Sequence, residues 1–148
     1  MRLDDALRGV LRLGIDTAPL IYLIEAHPRY GPTVLDVARR LTTGEMVGVT
    51  TVITLGEVLV RPYSQGNAQL RQRYHDILLH SVGLLTRPID AQAADRAAAL
   101  RARYGMRLPD ALQIAVALDE RCDAFLTNDR RLTRVTELRA LVLDDLEL

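Results

Sequence analysis

The stretch LGIDTAPLIYLI, residues 13–24, joins two apolar runs through one charged residue, Asp16. The first run has strand character, and the second opens near Pro19, a residue favoured in the first turn of a helix. Two interpretations of Asp16 are open: it caps the helix, or it is a metal ligand held at the end of a strand. Thr17 is also a good cap and lies closer to Pro19, so the local sequence does not decide between them.

Short runs with strand character alternate with longer stretches of helical period along the chain. The predicted strands are 11–16, 46–51, 82–87, 122–127 and 140–146. The predicted helices are 19–27, 33–41, 52–61, 67–80, 89–105 and 108–121, followed by a turn with a helical piece at 128–135. This alternation predicts a three-layer α/β fold, with about five parallel strands between helices. Sites in such folds lie beyond the carboxyl ends of the strands.

Local signals predict the ends of several helices. Pro62 is expected to end the helix that begins after the second strand. Asp90 is expected to cap the Ala-rich helix that follows it, and Gly105 to stop that helix.

Composition bounds the class of protein. The 148 residues are 49% hydrophobic and 26% charged, which predicts one globular domain over 1–148. No apolar run is long enough to cross a membrane, and the N-terminus does not resemble a secretory signal. A single cysteine, Cys122, then indicates the cytoplasm.

The charged residues exclude several function classes. The chain has 19 acidic and 19 basic residues, and every basic residue is arginine. With no net charge, any nucleic-acid site has to be a local basic patch. The absence of lysine excludes a P-loop, a protein kinase and Schiff-base chemistry.

Three further acidic residues resemble Asp16 in their placement near strand ends and helix starts. Glu57 lies within an apolar helix, where a surface position is the alternative interpretation. Asp110 lies in the first turn of a helix, where an acid also complements the helix dipole. Asp129 follows a strand and also fits a turn cap. Each residue alone has an ordinary structural explanation.

Together the four acids predict a cation site, because all of them project from the edge where the strands end. Two carboxylates about 4 Å apart repel by roughly 4 kcal/mol at an effective dielectric of 20, unless a cation or a raised pKa neutralises them. Oxygen ligands without Cys or His favour Mg²⁺ or Mn²⁺ over zinc. Such a site supports phosphoryl chemistry by activating water and stabilising charge on the scissile phosphate.

Four segments resemble, in order and spacing, the acidic motifs of PIN-domain ribonucleases, and most of all the toxin subunit of VapBC toxin–antitoxin systems. The segments are LGIDTAPLIYLIE (13–25), TTVITLGEVLVRP (50–62), RLPDALQIAVAL (107–118) and FLTNDRRL (125–132). The resemblance runs from about residue 12 to the C-terminus and implies a PIN-like three-layer sandwich. Residues 1–10 are a short N-terminal extension that many family members lack.

The resemblance implies a Mg²⁺- or Mn²⁺-dependent endoribonuclease, the toxin component of a type II toxin–antitoxin system. The catalytic acids would be Asp16, Glu57, Asp110 and Asp129. Of these, Asp16, Asp110 and Asp129 would hold the metal. Either Glu57 or Asp129 would accept a proton from the attacking water.

Residues beside the acids are expected to support them. The hydroxyls of Thr17 and Thr127 would orient a carboxylate, with assistance from Asn128. Phosphate contacts are expected from arginines near the motif acids, although solvated helix ends are the ordinary role of such arginines. These candidates are Arg61, Arg107, Arg130 and Arg131. Aromatic residues make up only 4% of the chain, which favours a structured RNA over one bound by extensive stacking.

The resemblance also implies a VapB-type antitoxin whose C-terminal segment blocks the acidic site. A homodimer and a hetero-oligomer with the antitoxin are expected. The candidate docking surface is the apolar helix face around Leu20, Tyr22, Leu23 and Val34, whose alternative role is ordinary core packing.

The residues present argue against several other functions. A receiver domain needs a lysine, and a haloacid-dehalogenase phosphatase needs an aspartate at the position of Ala18. A DNA-directed 5′-nuclease carries more acids and longer insertions than this compact chain. A catalytically silent PIN-fold subunit that binds RNA or protein stays open as the alternative.

Overall fold

The computed structural model describes residues 1–148 and contains one sheet of five strands. The strands are β1 (Arg12–Ile15), β2 (Val47–Thr51), β3 (Leu84–Arg87), β4 (Ala124–Thr127) and β5 (Ala140–Val142). All neighbouring strands are parallel, in the order β3-β2-β1-β4-β5, which confirms the predicted parallel sheet. The order reverses between β1 and β4, the position where open α/β sheets form a crevice.

Helices cover both faces of the sheet. They are α1 (Leu3–Ala6), α2 (Thr17–Ile24), α3 (Gly31–Thr42), α4 (Val52–Val58), α5 (Val60–Gln65), α6 (Ala68–His80), α7 (Ala91–Tyr104) and α8 (Leu108–Asp119). Short 3₁₀ helices span Arg130–Arg134 and Leu143–Asp145. One core cluster joins α1, α2, α3 and α6 to the sheet, and a second joins α7 and α8 to its other face. The three-layer prediction is confirmed.

Gly14 allows α8 to lie close against β1. A Cβ at this position would come within 2.6 Å of Phe125 Cδ2 and 3.1 Å of Ala117 Cβ. Glycine therefore lets the helix that carries Asp110 approach the strand that ends at Asp16.

Two predicted boundaries were wrong. Pro62 does not end a helix, because a break at Leu59 places it in the first turn of α5, where its missing N–H has no helical partner to lose. That helix ends instead at Gly66, whose φ is 62°. The last strand stops at Val142 and continues as a 3₁₀ turn, where a strand over 140–146 was predicted.

The N-terminal residues are packed into the fold. Leu3, Ala6 and Leu7 are buried in the same core cluster as β1. The backbone N–H of Leu3 donates to the carbonyl of Glu147 at 2.7 Å, so the first and last segments of the chain are joined. No helix in the structure has both the length and the apolar character needed to cross a membrane.

Candidate active site

Asp16 lies at the carboxyl end of β1 and caps α2, which confirms the cap interpretation and places the carboxylate at the end of a strand. Its Oδ1 accepts the backbone N–H of Thr17 at 2.9 Å, and its Oδ2 accepts the hydroxyl of Thr127 at 2.7 Å. Thr17 is the first helical residue, which is why the helix begins two residues before Pro19.

Burial raises the pKa of Asp16 above the ordinary aspartate value, and the nearby charges of Asp110 and Glu57 raise it further. The hydrogen bonds from Thr127 and Thr17 oppose this rise in the pKa of Asp16 without cancelling it. The carboxylate is thus held in a position where its charge is costly, which makes Asp16 a candidate for a functional residue.

Glu57 is exposed on α4, and one of its oxygens is oriented by a chain of hydroxyls. The Thr17 hydroxyl donates to Glu57 Oε1 at 3.1 Å and lies 2.9 Å from the Thr54 hydroxyl. Thr54 in turn accepts from Gln113 Nε2 at 2.6 Å. When Thr54 is the donor to Thr17, each hydrogen bond in this series is donated by the residue nearer to Gln113 and accepted by the residue nearer to the Glu57 carboxylate.

The buried Gln113 anchors this chain. Only 3% of the residue is exposed, and its Oε1 accepts the hydroxyl of Thr51. Sequence analysis missed both Gln113 and Thr54. The available signal was an amide within the otherwise apolar run of α8, since a buried amide needs partners. We call Asp16 and Glu57, with these hydroxyl contacts, the hydroxyl-held half of the site.

Asp110 and Asp129 form the other half, which we call the arginine-held half. Asp129 accepts from Arg131 Nε at 2.9 Å and from Arg131 Nη2 at 2.7 Å, and its Oδ1 also caps the following 3₁₀ helix. These contacts with Arg131 lower the pKa of Asp129. By contrast, burial and the charge of Asp129 raise the pKa of Asp110, although Arg107 and Arg131 oppose the rise.

Thr127 connects the two halves. It is fully buried, donates to Asp16 and accepts the backbone N–H of Asp129 at 3.0 Å. The side chain of Asn128 bonds to neither Asp16 nor Asp129. Its Oδ1 accepts the backbone N–H of Asp144 at 3.1 Å, and its Nδ2 lies 3.5 Å from the Tyr22 hydroxyl.

The predicted phosphate-binding arginines differ in whether they already pair with an acidic side chain. Arg61 pairs with Glu25 at 3.0 Å, whereas Arg130 makes two bonds to Asp145. Arg107 precedes α8 and makes no salt bridge. It lines a small cleft of about 60 Å³ that is also lined by the two acids of the arginine-held half and two further arginines, Arg131 and Arg134. Sequence analysis missed Arg134.

The predicted docking face includes an apolar cavity. The cavity, about 60 Å³, lies between α2, α3 and α6 and is lined by Leu20, Leu23 and Val34 among others, whereas Tyr22 does not line it. Leu20 and Val34 are also buried core residues, so core packing and cavity lining coincide here.

The acids fit a hard divalent cation in chemistry but only partly in arrangement. No three Asp, Glu, His or Cys side chains lie close enough together to form a metal site. Asp110 accepts no hydrogen bond, and each oxygen of Asp16 accepts only one, so both retain lone pairs for a cation. Asp129 is engaged by Arg131 and has to be released before it can join them.

Comparison with known proteins identifies a family that the sequence matches. The profile of the PIN domain matches residues 14–138. No curated protein matches the sequence.

Several solved structures share the fold. A chain of a toxin–antitoxin complex from Klebsiella pneumoniae is 23% identical with a TM-score of 0.67, covering 89% of this chain and 97% of that one. A chain of VapBC2 from Rickettsia felis, bound to a DNA fragment from the promoter, is 19% identical with a TM-score of 0.69, covering 89% and 98%. A chain of DNA-bound VapBC from Salmonella typhimurium is 21% identical with a TM-score of 0.61, covering 90% and 98%.

Proposed function

This chain belongs to the PIN domain family, and on that premise we propose that it is a metal-dependent endoribonuclease and the toxin of a VapBC-type toxin–antitoxin pair. The observation that carries the proposal is the environment of Asp16. A partly buried carboxylate is fixed by two donors at the crevice of the sheet, while two other acids act on its charge. Such an arrangement is costly unless a cation or a reaction uses it.

Asp16 and Asp110 are the proposed residues for Mg²⁺ or Mn²⁺, with Asp129 joining them once Arg131 is displaced. When bound, the cation supplies Lewis-acid stabilisation of the scissile phosphate and lowers the pKa of water. Neutralisation of the crowded carboxylates would at the same time remove the electrostatic cost seen in the pKa values of Asp16 and Asp110.

Glu57 is the proposed proton acceptor for the attacking water. The hydroxyl of Thr17 holds its Oε1, while Oε2 accepts no hydrogen bond from the protein and faces solvent. Asp129 is the weaker candidate for this role, because its pairing with Arg131 lowers its pKa. Thr17 and Thr127 are assigned positioning roles, whereas Asn128 contacts Tyr22 and Asp144 and is not assigned one.

Arg107 is the proposed main phosphate contact, because it lines the cleft beside Asp110 and has no carboxylate partner. Arg61, Arg130 and Arg131 remain candidates, but each has to leave an acidic partner to bind RNA. Exposed ion pairs of this kind contribute about 0–1 kcal/mol, so a phosphate can replace the partner.

A VapB-type antitoxin is the proposed protein partner. The similar structures include toxin–antitoxin complexes, and the small cavity between α2, α3 and α6 is lined mostly by apolar side chains, as the site for an apolar side chain of a bound segment would be. Homodimerisation and a hetero-oligomer with the antitoxin are proposed on the same basis.

One observation favours the alternative of a catalytically silent subunit that binds RNA or protein. In this structure Asp129 is occupied by Arg131, and no three acids converge. A site that never releases Arg131 would lack one predicted ligand.

The test combines RNA cleavage with calorimetric titration of Mn²⁺, on wild type, Asp16→Asn and Asp95→Asn. Asp95 is an exposed acid on α7 and serves as the control for loss of one charge. We expect the wild type and Asp95→Asn to bind Mn²⁺ and cleave RNA, and Asp16→Asn to lose both. RNA binding without cleavage by the wild type, in either Mg²⁺ or Mn²⁺, would establish the silent subunit instead.

A further inference from the structure

Three aromatic side chains meet on the surface after α2. The rings of Tyr22, His27 and Tyr30 lie with centroids 4.7 to 5.0 Å apart, and we call them the aromatic cluster. Tyr30 is stacked on both neighbours, at 24° to Tyr22 and 30° to His27. All three residues are partly exposed, whereas the core contains Tyr74 and Phe125.

Hydrogen bonds place the aromatic cluster at the same edge of the sheet as the acids. The Tyr22 hydroxyl lies 3.5 Å from Nδ2 of Asn128, the residue between Thr127 and Asp129. The Tyr30 hydroxyl donates to Asp144, which follows β5, at 2.9 Å. The cluster is thus tied to the carboxyl ends of β4 and β5.

The loop that presents the rings is fixed in advance. His27 Nδ1 accepts the backbone N–H groups of Arg29 and Tyr30, each at 3.2 Å, so the ring proton of neutral His27 lies on Nε2. Nε2 makes no hydrogen bond within the protein. Ala26 adopts a φ of 52°, a conformation that an L-residue holds only when its surroundings require it.

A cation accompanies the rings. The guanidinium of Arg29 lies 5.1 Å from the Tyr30 ring centroid and pairs with Asp144 at 2.6 Å. Its side chain is 66% exposed, so the pair is open to exchange with an anion.

We propose that the aromatic cluster stacks an unpaired base of single-stranded RNA beside the acidic site, with Arg29 contacting a flanking phosphate. This inference rests on the proposed function and names a part of the substrate that the site recognises. Partly exposed rings next to an exposed arginine match the two chemical parts of a nucleotide, a π-face and an anion. The free Nε2–H of His27 is a donor for a base edge.

The aromatic cluster differs from what the low aromatic content of the sequence indicates about base stacking. The chain has only five tyrosines and one phenylalanine, too few for an extended stacking surface. Folding gathers two of those tyrosines and a histidine at one point of the site edge, which suffices for one base.

The test measures binding without divalent cations, so that cleavage does not interfere. A short labelled single-stranded RNA and an abasic strand of equal length are titrated with wild type, Tyr30→Leu and Tyr63→Leu. Tyr63 is the matched control: it is 61% exposed and has the Arg71 guanidinium 4.8 Å from its ring centroid, but it lies on α5.

We expect the wild type and Tyr63→Leu to bind the RNA roughly 5- to 100-fold more tightly than the abasic strand, the range that one stacked base supplies. Tyr30→Leu should bind both strands equally. Equal binding of both strands by the wild type, or the same loss in Tyr63→Leu, would overturn the stacking site and leave the cluster as a surface for a protein partner.

A second variant covers the case in which Tyr30→Leu does not fold. Because the chain has no tryptophan, Tyr30→Trp introduces a single indole reporter. RNA should quench its fluorescence and the abasic strand should not; no difference between the strands would overturn the proposal. Cleavage assays distinguish failure of the stacking site from failure of the nuclease proposal. RNA cleavage by a wild type that shows no base-dependent binding contradicts only the stacking site. Base-dependent binding without cleavage contradicts only the nuclease proposal.

Discussion

The hydroxyl-held half and the arginine-held half of the acidic site fix their carboxylates in opposite ways. In the first, buried hydroxyl and amide groups form a continuous chain that begins at Gln113. In the second, the fixing group is Arg131, whose side chain is 69% exposed. Buried polar networks are rigid when complete and costly when broken, whereas exposed ion pairs contribute little and exchange readily.

The difference implies that one half of the site is rigid and the other half can rearrange. The hydroxyl-held half keeps Asp16 and one oxygen of Glu57 in place before anything binds. The arginine-held half can rearrange, because releasing Asp129 from Arg131 requires breaking only an exposed contact. A cation or phosphate would therefore meet one fixed side and one adjustable side.

Breaking the hydroxyl-held half at Gln113 should have the largest effect. Gln113→Leu removes the acceptor of the buried Thr51 hydroxyl and one of the donors to the Thr54 hydroxyl, so we expect the free energy of unfolding to fall by about 1–3 kcal/mol. RNA cleavage by the folded variant should fall as well, because the Thr54 hydroxyl that contacts Thr17 is no longer held by the amide of Gln113. Urea denaturation measures the first effect, with the exposed Gln69→Leu as control. A loss no larger than that of the control would show that the network does not hold the site.

Removing the charge of Asp16 should stabilise the protein when no divalent cation is present. Since burial raises the pKa of Asp16, the native state holds its proton more tightly than the unfolded chain, and stability falls as pH rises through that pKa. Asp16→Asn keeps an N-cap and should raise the free energy of unfolding at neutral pH. The gain should vanish below the ordinary value of 3.8, where both states are protonated.

Thermal unfolding of wild type and Asp16→Asn across pH measures this difference, and saturating Mn²⁺ should reverse the order of the two proteins. A variant that is less stable at every pH would show that the capping bonds of the charged form outweigh the cost of burial.

Loosening the arginine-held half should have the smallest effect on stability. Arg131→Gln removes an exposed pair, so the free energy of unfolding should change by less than about 0.5 kcal/mol. Mn²⁺ binding should tighten by roughly a few-fold, because Asp129 becomes available as a ligand. Calorimetry tests this against Arg103→Gln, which breaks the comparable exposed pair with Glu137. Weaker Mn²⁺ binding than in that control would mean that Arg131 supports the site and does not compete for it.

Short-range signals in the sequence were sufficient for the elements that depend on neighbours. Asp90 caps its helix through the N–H of Ala93 at 2.8 Å, and Gly105 ends that helix with a φ of 66°, both as predicted. Pro62 was misjudged because the effect of a proline depends on where its helix begins, and the break at Leu59 places Pro62 in the first turn of α5.

The sequence by itself determined the parallel α/β fold and the placement of four acids near its carboxyl edge, because strand and helix periods and residue order are properties of contiguous segments. Only the tertiary structure decided what holds each acid. Thr127 reaches Asp16 across 111 positions of the chain, and Gln113 reaches Thr54 across 59. Such pairings, like the aromatic cluster, depend on how whole elements dock, and no local pattern encodes that geometry.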